Sequence, residues 1–167
     1  KVALFDVQTS PYIRPDQTMV VGSILDTEKV NYAIKGQDIV FHFAGLSDLD
    51  MGKDQPIEVA NQNIIGTVNL LNESIKANIK RFVFASTIYV YSDLGGFYRC
   101  SKQATELFIE EFNKCYGLNF TVLRYGSLYG PRASASNGIW RYLSQALQDG
   151  KITYPGTGDE MREYINV

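Results

Sequence analysis

The chain contains Tyr98-Arg99-Cys100-Ser101-Lys102, a tyrosine and a lysine four residues apart. On a helix that spacing puts both side chains on one face, about one turn from each other. A phenol titrates near ~10 and is a poor base at neutral pH, whereas a neighbouring ammonium favours the phenolate. A tyrosine tuned in this way takes a proton from an alcohol or sugar oxygen, or returns one. The competing reading of the same spacing is an exposed helical pair without chemistry. A second signal is Phe82-Val83-Phe84-Ala85-Ser86-Thr87, where an apolar run gives way abruptly to hydroxyls. Thr87 is then placed either to bond the oxygen on which Tyr98 acts or to bond backbone at the end of a strand. A third is Leu123-Arg124-Tyr125-Gly126-Ser127-Leu128-Tyr129-Gly130-Pro131-Arg132, a strand followed by a loop that glycine and proline punctuate. His42 lies inside an apolar run and reads as a packed structural residue. Gly156-Thr157-Gly158 is not a dinucleotide fingerprint, because Met161 stands where the third glycine belongs and no helix-opening pattern follows.

The elements that must position these groups are legible from composition and periodicity. The 167 residues include 45% apolar and 20% charged, with 16 Lys plus Arg against 18 Asp plus Glu and a net charge of -2. That is a globular composition, and its length suits one domain of the usual roughly 100–200 residues. The balance supplies no electrostatic reason to bind nucleic acid or an anionic membrane. No apolar run approaches the ~18–20 residues of a membrane span, and Lys1–Asp6 is too short and too acid-tipped for a signal peptide. Cys100 and Cys115 make no disulfide scaffold, which points to a reducing, cytoplasmic compartment. With a single histidine and two cysteines no metal site of the zinc type is expected.

Strand and helix patterns alternate along the chain. Val2–Phe5 and Met19–Ile24 read as strands, with a proline-bearing loop over 8–17 between them. Thr27–Lys35 reads as a helix capped by Asp26 or Thr27. Asp38–Ala44 is a continuous apolar run, the pattern of a strand covered on both faces. From Pro56 to Ala77 the residues Ile57, Ala60, Ile64, Val68, Leu71 and Ile75 recur at spacings of three and four, an amphipathic helix that Asn78 ends. Arg81–Ala85 and Phe120–Tyr125 are strands, 98–116 and 138–148 are helices, and a short strand closes the chain near 164–167. Alternation at these lengths implies an α/β fold with a doubly wound parallel sheet. Ligands of such sheets sit beyond the carboxyl ends of the strands, so the residues just after Phe43, Phe84 and Leu123 are the first to consider.

Order and context together make these segments specific. The chain resembles the extended short-chain dehydrogenase/reductase family, in its NAD-dependent nucleotide-sugar epimerase/dehydratase branch. The resemblance is carried by Val40-Phe41-His42-Phe43-Ala44-Gly45-Leu46, Asn63-Ile64-Ile65-Gly66-Thr67, Ala85-Ser86-Thr87 with Val90-Tyr91, the Tyr98–Lys102 motif and Arg124–Arg132. The resemblance implies a Rossmann-type domain over 1–132 and the start of a substrate-binding lobe over 133–167. It implies NAD as cofactor, a nucleotide-diphosphate sugar as substrate and a homodimer built on the helices at 56–77 and 98–116. Tyr98 would be the acid/base, Lys102 would hold the nicotinamide ribose and lower the Tyr98 pKa, and Thr87 would orient the sugar hydroxyl. Asp6 would take the adenosine ribose and favour NAD over NADP. Ser23, Ile24, Phe43, Ala44, Gly45, Asn63, Ala85 and Tyr125 would line the cofactor site, while Ser127 and Arg162 would face the substrate.

The same resemblance bears on the reaction. The 4,6-dehydratases carry an Asp-Glu pair directly after the threonine; here Ile88-Tyr89 stands there. A 4-epimerase is therefore the first expectation, with a sugar-nucleotide reductase or dehydrogenase and a non-catalytic interaction module as alternatives. The family's opening strand and Gly-rich loop do not precede Val2. The chain is accordingly expected to be part of a longer protein, with Val2–Phe5 and Asp38–Ala44 lacking a shared neighbour.

Overall fold

The structure is a computed structural model. It describes the whole chain apart from residues 134, 136, 155, 160 and 162, and apart from the side chains of residues 50 and 51. Two compact units form, Lys1–Arg124 and Tyr125–Val167. The first contains β1 (Val2–Asp6), β2 (Gln17–Val21), α1 (Thr27–Ile34), β3 (Ile39–His42), α2 (Leu49–Asp54), α3 (Pro56–Val59), α4 (Gly66–Lys76), β4 (Arg81–Thr87), α5 (Gly96–Tyr116) and most of β5 (Phe120–Tyr125). The second contains β6 (Ser127–Tyr129), α6 (Gly138–Asp149) and β7 (Tyr164–Asn166), with β6 and β7 parallel.

In the first unit β1 pairs with β2 in parallel from Val2 opposite Gln17 to Asp6 opposite Val21. A separate sheet runs in the order β3-β4-β5, and β3 pairs with β4 in parallel from Ile39 opposite Arg81. The two sheets share no ladder, so the expected common neighbour of β1 and β3 is not supplied by the described residues.

The core explains why β4 is the central element. Phe82 and Phe84 on β4 pack with Ile34 of α1, Leu71 of α4, Ile109 of α5, and Ile79 and Leu118 from the connecting segments. Each such side chain contributes ~1.5–3 kcal/mol by leaving water. α1, α4 and α5 thus gather on one face of the sheet. The apolar run at β3 behaves otherwise than its pattern predicts. Val40 and His42 turn to the core, while Phe41 and Phe43 are each 61% exposed and stack on one another at 6.3 Å. Alternation along a strand puts these two on the opposite face, where no cluster comparable to the core forms over them.

The long helix predicted over 56–77 is interrupted. Residues Ala60–Ile65 form a π-helical segment between α3 and α4. Such bulges are found frequently at functional sites, and this one sets Asn63 into the protein. Its exit is as expected, for Asn78 adopts φ 55° just past α4. The helix Leu49–Asp54, the 3₁₀ turn Ile88–Tyr91 and β6 carry too few periodic residues to register in the sequence. Among the described residues no helix is long and apolar enough to cross a membrane.

Candidate functional site

Because β1 to β4 run parallel within their sheets, their carboxyl ends collect the predicted residues of the first unit. α5 crosses behind the end of β4 and brings Tyr98 and Lys102 with it. Asp26 caps α1 by accepting from Lys29 N at 3.1 Å, but α5 starts differently, on Gly95 in the left-handed conformation. The short link before it is braced by Arg99, whose Nη1 donates to Ser92 O at 2.7 Å and to Asp93 Oδ1 at 3.2 Å. Gln103 Nε2 holds the 3₁₀ turn through Val90 O at 2.9 Å.

Lys102 is only 5% exposed. Its Nζ donates to Ala85 O at 2.8 Å and lies 4.5 Å from the Phe84 ring centroid and 5.7 Å from that of Tyr98. Burial pulls its pKa down to about 8, against a smaller upward influence from Glu106. Tyr98 is half-buried and hydrogen-bonds Thr87. Its pKa stands above the ordinary value: burial outweighs the Thr87 hydrogen bond, and Tyr89 adds to the rise. The lowering expected from Lys102 is therefore not found in the cofactor-free chain. The ammonium is bound to a backbone carbonyl and lies over a phenylalanine, and desolvation of the phenol dominates. Thr87 accepts from Tyr89 N at 3.3 Å, the backbone bond of a strand end, and its hydroxyl also neighbours the Tyr98 phenol.

Asn63 is placed beside this pair, though its carboxamide is spent on the protein. Oδ1 accepts from Leu46 N at 2.7 Å, and Nδ2 donates to Leu46 O and to Ser101 Oγ, both at 2.9 Å. Ser101 Oγ in turn donates to Tyr98 O at 2.8 Å. Asn63 thus braces the loop after β3 against the Tyr98 turn and has no hydrogen left to donate to a ligand. Gly45 is required where it stands. It adopts φ 151°, and a Cβ there would meet Asn63 Oδ1 at 2.8 Å and Lys102 Nζ at 3.9 Å. Phe43 and Ala44 are exposed just before it.

His42 is packed, as its surroundings predicted. Thr67 Oγ1 gives its hydrogen to Asn63 O at 2.7 Å, so its 2.8 Å contact with His42 Nε2 is accepted from a protonated Nε2. Burial, aided by the Lys102 charge, drives the His42 pKa down to about 3.

The remaining predicted residues are more dispersed. Asp6 ends β1, exposed, and its Oδ1 accepts from Gln8 N at 3.1 Å. Ser23 Oγ accepts from Leu25 N at 3.2 Å, and buried Ile24 lies against α4, its carbonyl accepting from Asn69 Nδ2 at 2.7 Å. Tyr125 and Ser127 belong to the second unit, where Ser127 N donates to Glu163 O at 2.8 Å. Arg162 lies outside the described residues. No group of three or more potential metal ligands occurs among the described residues.

Sequence reasoning passed over Glu106, Ser86 and Arg124. Glu106 Oε1 accepts from Ser86 Oγ at 2.5 Å, and Arg124 grips the carboxylate through Nε at 3.1 Å and Nη2 at 2.7 Å. The signal was present: Glu106 follows Lys102 by four residues and so shares its helix face.

The arrangement fits a pyridine dinucleotide. A buried ammonium, a phenol with a hydroxyl partner and a side-chain-free cradle at Gly45 adjoin strand ends, and Asp6 ends β1 with an exposed carboxylate. The sequence model of the "NAD dependent epimerase/dehydratase family" matches residues 2–167. A dTDP-D-glucose 4,6-dehydratase of Dictyostelium discoideum is 26% identical over 87% of this chain and 40% of its own length. The UDP-glucose 4-epimerase of Thermotoga maritima, solved with UDP-glucose, superposes with a TM-score of 0.86 at 27% identity, covering 98% of this chain and 60% of that one. A double mutant of the Streptomyces venezuelae dTDP-glucose 4,6-dehydratase, solved with NAD, gives 0.87 at 25% identity over 99% and 58%. The chain spans about half the length of the curated relatives it matches. These likenesses make the fold Rossmann-type.

Proposed function

The chain belongs to the NAD-dependent epimerase/dehydratase family, and on that premise we propose that it carries the cofactor and proton-transfer site of a nucleotide-sugar 4-epimerase. The observation that carries the reading is the Thr87–Tyr98–Lys102 cluster at the end of β4, with Ile88 and Tyr89 directly behind Thr87. Loss of water from a sugar needs an acid and a base near the reacting carbons, for which the dehydratases carry an Asp-Glu pair. The nearest anions are engaged elsewhere: Glu106 is held by Ser86 and Arg124, and Asp93 faces solvent beside Arg99.

In this reading Lys102, Gly45 and Tyr98 hold the nicotinamide ribose and Asp6 the adenosine ribose. NAD, when bound, supplies the hydride acceptor and returns the hydride to the sugar. Thr87 donates to the sugar hydroxyl and fixes its oxygen against the Tyr98 phenol. Tyr98 takes the hydroxyl proton as the carbonyl forms and gives it back when the carbonyl is reduced. Lys102 supplies the positive charge that favours the transient phenolate, which the burial of Tyr98 otherwise opposes. Ser127, Arg162 and Tyr125 are assigned to the sugar nucleotide and the nicotinamide side of the site.

We assign a homodimer to the helical stretches 56–77 and 98–116, where Ile57, Ile65, Leu107 and Phe108 are exposed. We also assign a cytoplasmic location, consistent with two free cysteines. The test is turnover by the protein with its complete natural chain. Interconversion of UDP-glucose and UDP-galactose is expected, with no keto-deoxy product from dTDP-glucose, and Tyr98→Phe should lower kcat by about 10²–10⁴-fold. A Tyr98→Phe variant as fast as the parent would overturn the assignment. Net conversion of substrate that consumes reduced nicotinamide would instead establish the reductase alternative.

A further inference from the structure

We propose that Glu106 is a positioning residue for the proton-transfer pair, clamping the carboxyl end of β4 to α5 and β5 through Ser86 and Arg124. The inference rests on the epimerase reading for its kinetic consequence and on geometry alone for the clamp. Residues 98, 102 and 106 lie at successive four-residue steps of α5, so the phenol, the ammonium and the carboxylate share one helix face. Tyr98 and Lys102 reach β4 at Thr87 and Ala85, the two residues that flank Ser86. Ser86 is buried, and its hydroxyl ends on the Glu106 carboxylate.

Glu106 has little freedom of its own. Its side chain is 10% exposed, and Arg124 meets it with a two-pronged contact, Nε to both oxygens at 3.1 and 3.3 Å and Nη2 to Oε2 at 2.7 Å. The other arm of Arg124 bonds the Tyr91 hydroxyl, and its guanidinium lies 4.9 Å from the Tyr91 ring. One carboxylate therefore joins β4, α5 and β5 and, through Arg124 and Tyr91, the 3₁₀ turn Ile88–Tyr91. A planar fork on a carboxylate fixes orientation as well as distance, and lysine or an amide does not reproduce it. Misplacing a reacting group by a fraction of an ångström is costly to rate, which is the reason to anchor this strand end so heavily.

The clamp also places a fixed anion one turn from Lys102. The charged and titratable groups around that ammonium are Tyr98 and Glu106 on its own helix, His42 on β3, and Arg124 on β5 behind Glu106. His42 is neutral and Arg124 is paired, so Glu106 is the neighbour that favours the charged form of Lys102.

The experiment compares Glu106→Gln, Glu106→Asp and the parent in the NAD-loaded protein with its complete natural chain, and measures amide exchange in the cofactor-free form. Glu106→Gln is expected to lose ~10–100-fold in kcat with little change in KM, and its alkaline loss of activity should begin at lower pH than in the parent. Glu106→Asp keeps the charge and should recover part of both. Exchange at residues 86–89 should accelerate in Glu106→Gln while Phe82 and Val83 stay protected. The proposal is overturned if Glu106→Gln keeps the parent's pH profile, or if exchange at 86–89 is unchanged. A parent that turns over no nucleotide sugar removes the epimerase reading, and the exchange measurement then still decides the clamp.

Discussion

Replacing Lys102 by methionine separates what the ammonium does for chemistry from what it costs the fold. Lys102 titrates at about 8 in the folded chain because burial disfavours its charge, against 10.5 for a free lysine. The folded state therefore binds fewer protons than the unfolded state between these values, and stability attributable to Lys102 rises with pH across that window. At pH 7 both states hold the proton, and the folded state bears the full penalty of ~3 kcal/mol, the 2.5-unit depression at 1.36 kcal/mol each. By pH 10 about 2.5 kcal/mol of this is relieved. Methionine has no proton to release, so the parent should gain about 2.5 kcal/mol on Lys102→Met between pH 7 and pH 10. The absolute difference at pH 7 is smaller than the penalty, because removing the ammonium strands Ala85 O, at ~1–3 kcal/mol. The assay is urea unfolding of both proteins, stripped of cofactor, at several pH values; groups common to the two cancel. Parallel curves across pH 7–10 would refute the reasoning. Lys102→Met should also abolish turnover, so that a loss of activity accompanies a chain no less stable at neutral pH.

Two further outcomes follow from buried contacts. His42 has a folded-state pKa near 3 against 6.5 when free, so the parent should lose stability as pH falls below 6.5, by about 2 kcal/mol at pH 5. His42→Gln, which cannot charge, should lack that slope in urea unfolding; an equal slope in both chains counts against the buried neutral imidazole. Gly66→Ala would set a Cβ 2.5 Å from Ile24 Cδ1, and its unfolding free energy should fall by ~1–3 kcal/mol, with partial recovery in the Ile24→Ala background. A neutral Gly66→Ala would show that α4 and the loop after β2 separate at no cost.

Chemistry that repeats along the chain was the most legible. Apolar periodicity placed β1, β4, β5, α1, α5 and α6 to within a residue or two, and of these β4, β5, α1 and α5 pack into one core. The 56–77 helix was read correctly as helical. Its π segment was not, since one extra residue per turn changes hydrogen bonding without breaking the apolar stripe. β3 misled for a related reason. Val40 and His42 face the core while Phe41 and Phe43 face outward, and a run apolar at every position does not say which faces are covered.

The site divides along the same physical line. That Tyr98, Lys102 and Thr87 come together was legible, because residue type and spacing within one helix or one strand end set their placement. Asn63 and Glu106 were not, because what they do depends on partners 38 and 20 residues away, Ser101 and Ser86 respectively. A polar side chain buried in a sheet-and-helix fold must find such a partner or incur the cost of going without. Asn63 meets that requirement wholly within the protein and so braces the loop at Gly45 rather than offering itself to a ligand. Lys102 meets it with a backbone carbonyl that leaves its charge only partly compensated. Under the proposed reading Lys102 is the one of the two that a ligand would engage further, its ammonium gaining from ribose hydroxyls and a developing phenolate. In that reading the burial that lowers the Lys102 pKa is also what would make its charge effective beside a bound cofactor.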